Sequence, residues 1–146
     1  MSTIFADKFK NTSGGNNVKV NQLSGIDTAG SITIQGEGSA TTNMQQGLAK
    51  VWVNFNGTGT IASRDSFNIA SLTDTSTGNY VPNFSNNMSN NDYSATGGIS
   101  ESGVGGQSRI VLGDGYTTSS VTVLTANSAT LTDYAFIATS IHGDLA

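Results

Sequence analysis

The sequence predicts an all-β protein: an antiparallel β-sandwich of jelly-roll type with an extended N-terminal arm. Three observations carry the prediction. Apolar and polar residues alternate with a period of two in short runs, turn-forming residues separate those runs, and helical periodicity is confined to one short stretch. The composition agrees. Of 146 residues, 19 are Ser, 19 Thr, 15 Asn and 18 Gly, and only 11% are charged, less than half the roughly 25% of an average soluble domain.

Leu, Ile, Val and Phe supply about 22% of the chain, just above the roughly 20% below which highly charged chains stay disordered. The net charge is only −4, so the chain is read as folded, with a thin core that invites support from identical copies. With no Cys, disulfide frameworks, thiolate zinc sites and cysteine nucleophiles are excluded. A pI near 4.5 argues against nucleic acid as a partner, because phosphates are collected by basic stripes. No apolar run is long enough for a membrane span, and the opening Met1-Ser2-Thr3-Ile4-Phe5-Ala6-Asp7-Lys8 is too polar for a secretory leader.

Three of the four lysines lie in the first 20 residues, whereas Trp52, all four tyrosines and four of six phenylalanines follow Gly47. This divides the chain into a slightly basic, polar N-terminal arm, 1–46, and a more hydrophobic sandwich domain, 47–146. In the arm, Val18-Lys19-Val20 and Ile32-Thr33-Ile34 read as short strands between Gly-rich turns. Thr42 to Lys50 is at most a two-turn helix, with Asn43 as cap, Gln46 three residues on, and Met44, Leu48 and Val51 on one face.

The body reads as strands. Ala49, Val51, Val53 and Phe55 face one way, Trp52 and Asn54 the other. Asn56-Gly57 is a hairpin signal, followed by strands at Thr60–Ala62 and Ser66–Leu72. Thr75 to Asn79 turns the chain into Tyr80, Pro82 and Phe84 on one face; Pro82 cannot donate to a ladder, so this strand is an edge or is interrupted there. Residues 85–107 read as a polar loop. Strands at Ser108–Leu112, Ser119–Thr125 and Ala129–Ile141 complete six to eight in the body.

Candidate chemistry is sparse. His142 is the sole imidazole and no Gly-x-Ser-x-Gly elbow frames a serine, so no catalytic residue is assigned. The ten acids mostly sit beside turns, where Asp bonds its own backbone, which leaves paired-carboxylate glycoside hydrolysis as a minor reading. No ligand spacing supports a metal or other cofactor. Asn87, Asn90, Asn91 and Tyr93 join amides that donate and accept to an aromatic ring, the equipment for holding sugar hydroxyls, and are the candidate receptor contacts.

The run Gln46-Gly47-Leu48-Ala49-Lys50-Val51-Trp52-Val53-Asn54-Phe55-Asn56-Gly57-Thr58-Gly59-Thr60 has a further significance. Continued by Arg64-Asp65-Ser66-Phe67-Asn68, Thr73-Asp74, Thr77-Gly78-Asn79-Tyr80 and Asn83-Phe84, it resembles a module of bacteriophage tail-fibre-like virion structural proteins, especially those of marine phages and cyanophages. The opening Met1-Ser2-Thr3-Ile4 and the ending Gly143-Asp144-Leu145-Ala146 resemble the same group; Ser63 and Pro82 depart from it. The resemblance implies a non-enzymatic virion component, homotrimeric, assembled in the host bacterial cytoplasm. Its partners would be itself, other tail or capsid proteins, and a host surface glycan or protein. Ile4, Phe5, Lys8, Phe9 and Lys10 would then attach the arm to an acidic virion surface. A tail fibre or tail appendage is the leading expectation, with a capsid decoration or head-fibre protein, then a glycan-cleaving tail enzyme, as alternatives.

Overall fold

The computed structural model describes residues 21–23, 32–35, 38–100, 108–112 and 115–146. The attachment residues expected at Ile4 to Lys10 and the strand expected at Val18–Val20 lie outside the described residues. The elements are β1 (Thr33–Gln35), β2 (Thr41–Asn43), α1 (Met44–Gly47), β3 (Ala49–Asn56), β4 (Ala62–Phe67), β5 (Ile69–Ser76), β6 (Asn79–Phe84), β7 (Ser94–Ser100), β8 (Ser108–Leu112), β9 (Val123–Asn127), β10 (Thr130–Leu131) and β11 (Phe136–His142). The first strand of the two facing sheets is β3.

Two antiparallel sheets face each other. One runs β4-β3-β11-β7; the other runs β5-β6-β9, with β8 along the outer edge of β9 and the two-residue β10 sharing the inner edge with β6. Four long strands per layer is the strand count of a jelly roll. Alternation drives the packing. Val51, Val53 and Phe55 of β3 and Ile137 and Ile141 of β11 are fully buried against Tyr80, Pro82 and Phe84 of β6 and Val121 and Val123 of the facing layer. Phe55 meets Tyr80 edge-to-face across the layers at 5.2 Å between centroids. Burying each such side chain contributes roughly 1.5–3 kcal/mol.

Pro82 interrupts a ladder, as its missing N–H requires. β6 pairs β9 at Asn79–Leu124 and Tyr80–Val123 only, and contact resumes as a single bridge between Asn83 and Ser120. The helix expected over Thr42–Lys50 is one turn: the Asn43 side chain accepts from Gln46 N at 3.1 Å, as a cap should, but Val51 belongs to β3 and Leu48 is exposed.

Three expectations are corrected. The strand expected over Ala129–Ile141 is two, β10 and β11, in different sheets, because the chain crosses between the layers over 132–135. The loop expected over 85–107 contains β7, whose seven residues all pair with β11; Gly97 and Gly98 dilute its pattern, and only Ala95 and Ile99 pack against the core. The strand expected over Ser66–Leu72 is two strands in different layers, split at Asn68. That residue has φ +60°, which Asn tolerates better than most. Its amide donates to the carbonyls of Lys50 (3.1 Å) and Asn86 (3.0 Å) and accepts from Asn86 N (2.7 Å). The crossing from one sheet to the other is therefore clamped by one side chain. Asn68→Ala is expected to cost about 2–4 kcal/mol, from the left-handed backbone and the lost bonds together. Asn68→Gly should recover the backbone part; equal urea midpoints for the two variants would show that the backbone contributes nothing.

Three tyrosines are buried in the core, Tyr80, Tyr93 and Tyr134. Tyr80 Oη lies 2.7 Å from Asp133 Oδ1 and 3.1 Å from the Gly57 carbonyl, and Tyr93 Oη donates to the carbonyls of Ser120 (2.8 Å) and Thr117 (3.1 Å). Burial, reinforced by the Asp133 carboxylate, pushes the Tyr80 phenol up; burial likewise pushes Tyr93 up, to about 12. The folded protein thus keeps protons that the unfolded chain releases near pH 10. This stability is intact below pH 10 and is lost as pH rises toward 12, by up to about 1.4 kcal/mol per pH unit for each tyrosine. Urea midpoints should fall between pH 9 and 11, and less so in Tyr93→Phe. A flat profile would show both phenols ionising within the fold.

Candidate functional site

The outward face of the β4-β3-β11-β7 sheet carries a candidate site. The period of two that sends Val51, Val53 and Phe55 inward sends Trp52 and Asn54 outward. Register supplies their neighbours. Ser140 lies opposite Trp52 on one side and Thr96 on the other; Ala138 lies between Asn54 and Gly98 in the same way. On the far edge, Phe67 pairs with Trp52 and Asp65 with Asn54.

Trp52, Ala138 and Gly98, together with the polar residues Asn54, Ser140 and Thr96, border a shallow groove of about 370 Å³, with Phe67 and Asp65 outside its lining. A Cβ built on Gly98 meets nothing within 4 Å, so the missing side chain opens the slot. The lining contains no charged side chain. Charge lies only at the rim, where the Arg64 guanidinium covers the Phe136 ring at 4.2 Å and its Nη1 comes within 3.5 Å of Asn54 Oδ1. Phe67 and Phe136 are each about half exposed, flanking the groove with aromatic surface.

The receptor contacts expected from the sequence do not form one surface. Asn87, Asn90 and Asn91 are exposed, and the Asn90 side chain accepts from Asp92 N at 2.8 Å in a local turn. Tyr93 is turned inward, 7% exposed, edge-to-face with Phe84 and tilted on Tyr116; it presents no ring to solvent. Sequence reasoning placed Trp52 and Asn54 on the outer face but gave that face no role, because the glycines that shape it arrive from a strand more than 40 positions away.

A second apolar groove, of about 340 Å³, lies before the sandwich, lined by Ile34, Ala40, Thr42, Met44 and Leu48 among others. Ile34 and Leu48 are each 55% exposed there.

Among the described residues, no cluster of three or more His, Cys, Asp or Glu side chains could hold a metal, and no helix is long and apolar enough to cross a membrane. Asp65 and Asp74 stand on different sheets, while Asp133 is engaged by Tyr80 and Gly78 N. No protein-family model, curated protein or solved structure matches the chain.

Proposed function

We propose that this chain is a non-enzymatic structural protein of a bacteriophage particle, a homotrimeric tail fibre or tail appendage. In this reading residues 1–46 anchor and oligomerise, and the sandwich 47–146 is presented to the host surface. The observation that carries the assembly part is the placement of uncovered apolar surface. Among the described residues, β1, β2 and α1 leave Ile34 and Leu48 more than half exposed around an open apolar groove, in addition to the half-exposed Phe67 and Phe136 on the sandwich. Three copies wound together would cover that surface and shield the sheet edges that otherwise template aggregation. The virion part is supported by the residues of the phage-like module. They form the β3–β4 and β5–β6 hairpins and include Gly57, Asn68 and Gly78, where close packing or a left-handed backbone restricts the residue.

Light scattering on the full chain tests the oligomer. The expected mass is three times 15.0 kDa, with Leu48→Ser shifting the population toward monomer; a clean wild-type monomer overturns it. Gold-labelled antibody against the sandwich tests location on purified particles. Label at the tail agrees with the proposal, label over the capsid transfers the assignment to decoration, and unlabelled particles remove the virion reading.

A further inference from the structure

We infer that the Trp52 groove is a carbohydrate-binding subsite that takes an uncharged pyranose of a surface glycan. This deepens the host-contact reading above by naming the chemistry of the contact and moving it from the 85–93 segment to a sheet face.

The argument begins with what the groove can offer. It lies on the face of a sheet, and β11, which forms its centre, is hydrogen-bonded on both sides by β3 and β7. Its backbone is therefore committed, and an extended peptide cannot be captured there by strand addition. Recognition falls to side chains. Those present are one large aromatic ring, one carboxamide and two hydroxyls beside Ala138 and Gly98. The face of an indole is electron-rich and suits the weakly positive C–H face of a sugar ring. An amide and hydroxyls, which both donate and accept, suit sugar hydroxyls, which do the same.

Charge narrows the class. The lining itself holds no charged side chain. At the rim the Arg64 guanidinium is already engaged by the Phe136 ring and Asn54 Oδ1 and is matched by Asp65 opposite Asn54, so a sulfated, phosphorylated or carboxylated ligand would meet no net positive charge to offset its desolvation. A neutral hexose would lose nothing of that kind. Shape agrees: a slot of about 370 Å³ lies at the small end of the roughly 300–1,000 Å³ of small-molecule sites, and Gly98 leaves it clear of side chains. Phe67, directly opposite Trp52 on β4, continues the aromatic surface outward, so a second sugar unit has a place to rest.

The test exploits the fact that Trp52 is the chain's single tryptophan, so its emission reports on this groove alone. Full-length protein is titrated with glucose, galactose, mannose and N-acetylglucosamine and with their neutral disaccharides, beside a sulfated disaccharide. A saturable change in Trp52 emission with a neutral sugar is expected. Gly98→Val, whose Cβ would meet nothing within 4 Å, fills the open space and should weaken binding about tenfold or more, as should Asn54→Ala, with unchanged urea midpoints. No response to any neutral sugar, or a response only to the sulfated one, overturns the inference. So does loss of self-association in Gly98→Val, which would assign the face to a second copy of the chain. The two readings fail separately. Sugar binding by a protein missing from particles sinks only the virion assignment, and a labelled particle whose protein ignores sugars sinks only this one.

Discussion

Gly78→Ala is expected to be among the most damaging single-atom-scale changes in the protein, lowering stability by about 3–5 kcal/mol. Two costs combine. Gly78 sits in the β5–β6 turn at φ +64°, where an L-residue pays for proximity of its Cβ to backbone. The new Cβ would also lie 2.5 Å from the Thr125 carbonyl oxygen and 2.6 Å from Thr132 N. Both are backbone atoms, and neither can rotate away. Thr125 N donates to the Gly78 carbonyl and Thr132 N to the Thr125 carbonyl, so a retreat would break the junction of β6, β9 and β10. Gly59 provides the control. It has nearly the same φ, +65°, but a Cβ there meets nothing within 4 Å. Gly59→Ala should therefore cost only the backbone part, about 1–2 kcal/mol. Equal urea midpoints for the two variants would show that the crowding around Gly78 is relieved without loss.

These glycines also mark how far the sequence can be read. The Thr75–Asn79 turn, the inward run of Tyr80, Pro82 and Phe84, the alternation of β3 and the Asn43 cap are local features. Each follows from side-chain period or turn chemistry within a few residues, and each is where it was expected. The failures are non-local. β7 is a strand because β11 offers it a full ladder, while its own Ser-Ala-Thr-Gly-Gly-Ile-Ser sequence gives little alternation. Asn68 looks like one polar residue inside a strand until its amide is seen binding Lys50 and Asn86, each 18 positions away. Tyr93 sits among five polar neighbours, Asn90, Asn91, Asp92, Ser94 and Thr96, which suggested a surface; its hydroxyl instead reaches carbonyls at 117 and 120. The groove was half legible. Trp52 and Asn54 face outward by period alone, whereas the rest of the lining depends on register that no local pattern encodes.

The second large effect is expected at Asp133, in the segment that leads from β10 into β11 and so carries the chain from one sheet to the other. Its Oδ1 accepts from Gly78 N at 2.6 Å and from Tyr80 Oη at 2.7 Å, and the next residue, Tyr134, accepts from Gly57 N at 2.9 Å. One short segment thus bonds the β5–β6 turn in one layer and the end of β3 in the other. Asp133→Ala removes two charge-assisted bonds, each of a kind worth about 1.5–3 kcal/mol. Tyr80 is fully buried but retains the Gly57 carbonyl as an acceptor at 3.1 Å, which softens the loss. Gly78 N has no such alternative. The net cost should be about 2–4 kcal/mol in urea denaturation. Asp133→Asn separates charge from geometry. Its amide oxygen can still accept from both donors, so it should lose less than Asp133→Ala, and Tyr80 should titrate closer to its ordinary range because the carboxylate that helps hold its proton is gone. If Asp133→Asn and Asp133→Ala were equally destabilised, the carboxylate charge, and not the acceptor position, would be what holds the two sheets at this end. If neither lost stability, the Gly57–Tyr134 bond and the Phe55–Tyr80 contact alone would suffice to lock the layers.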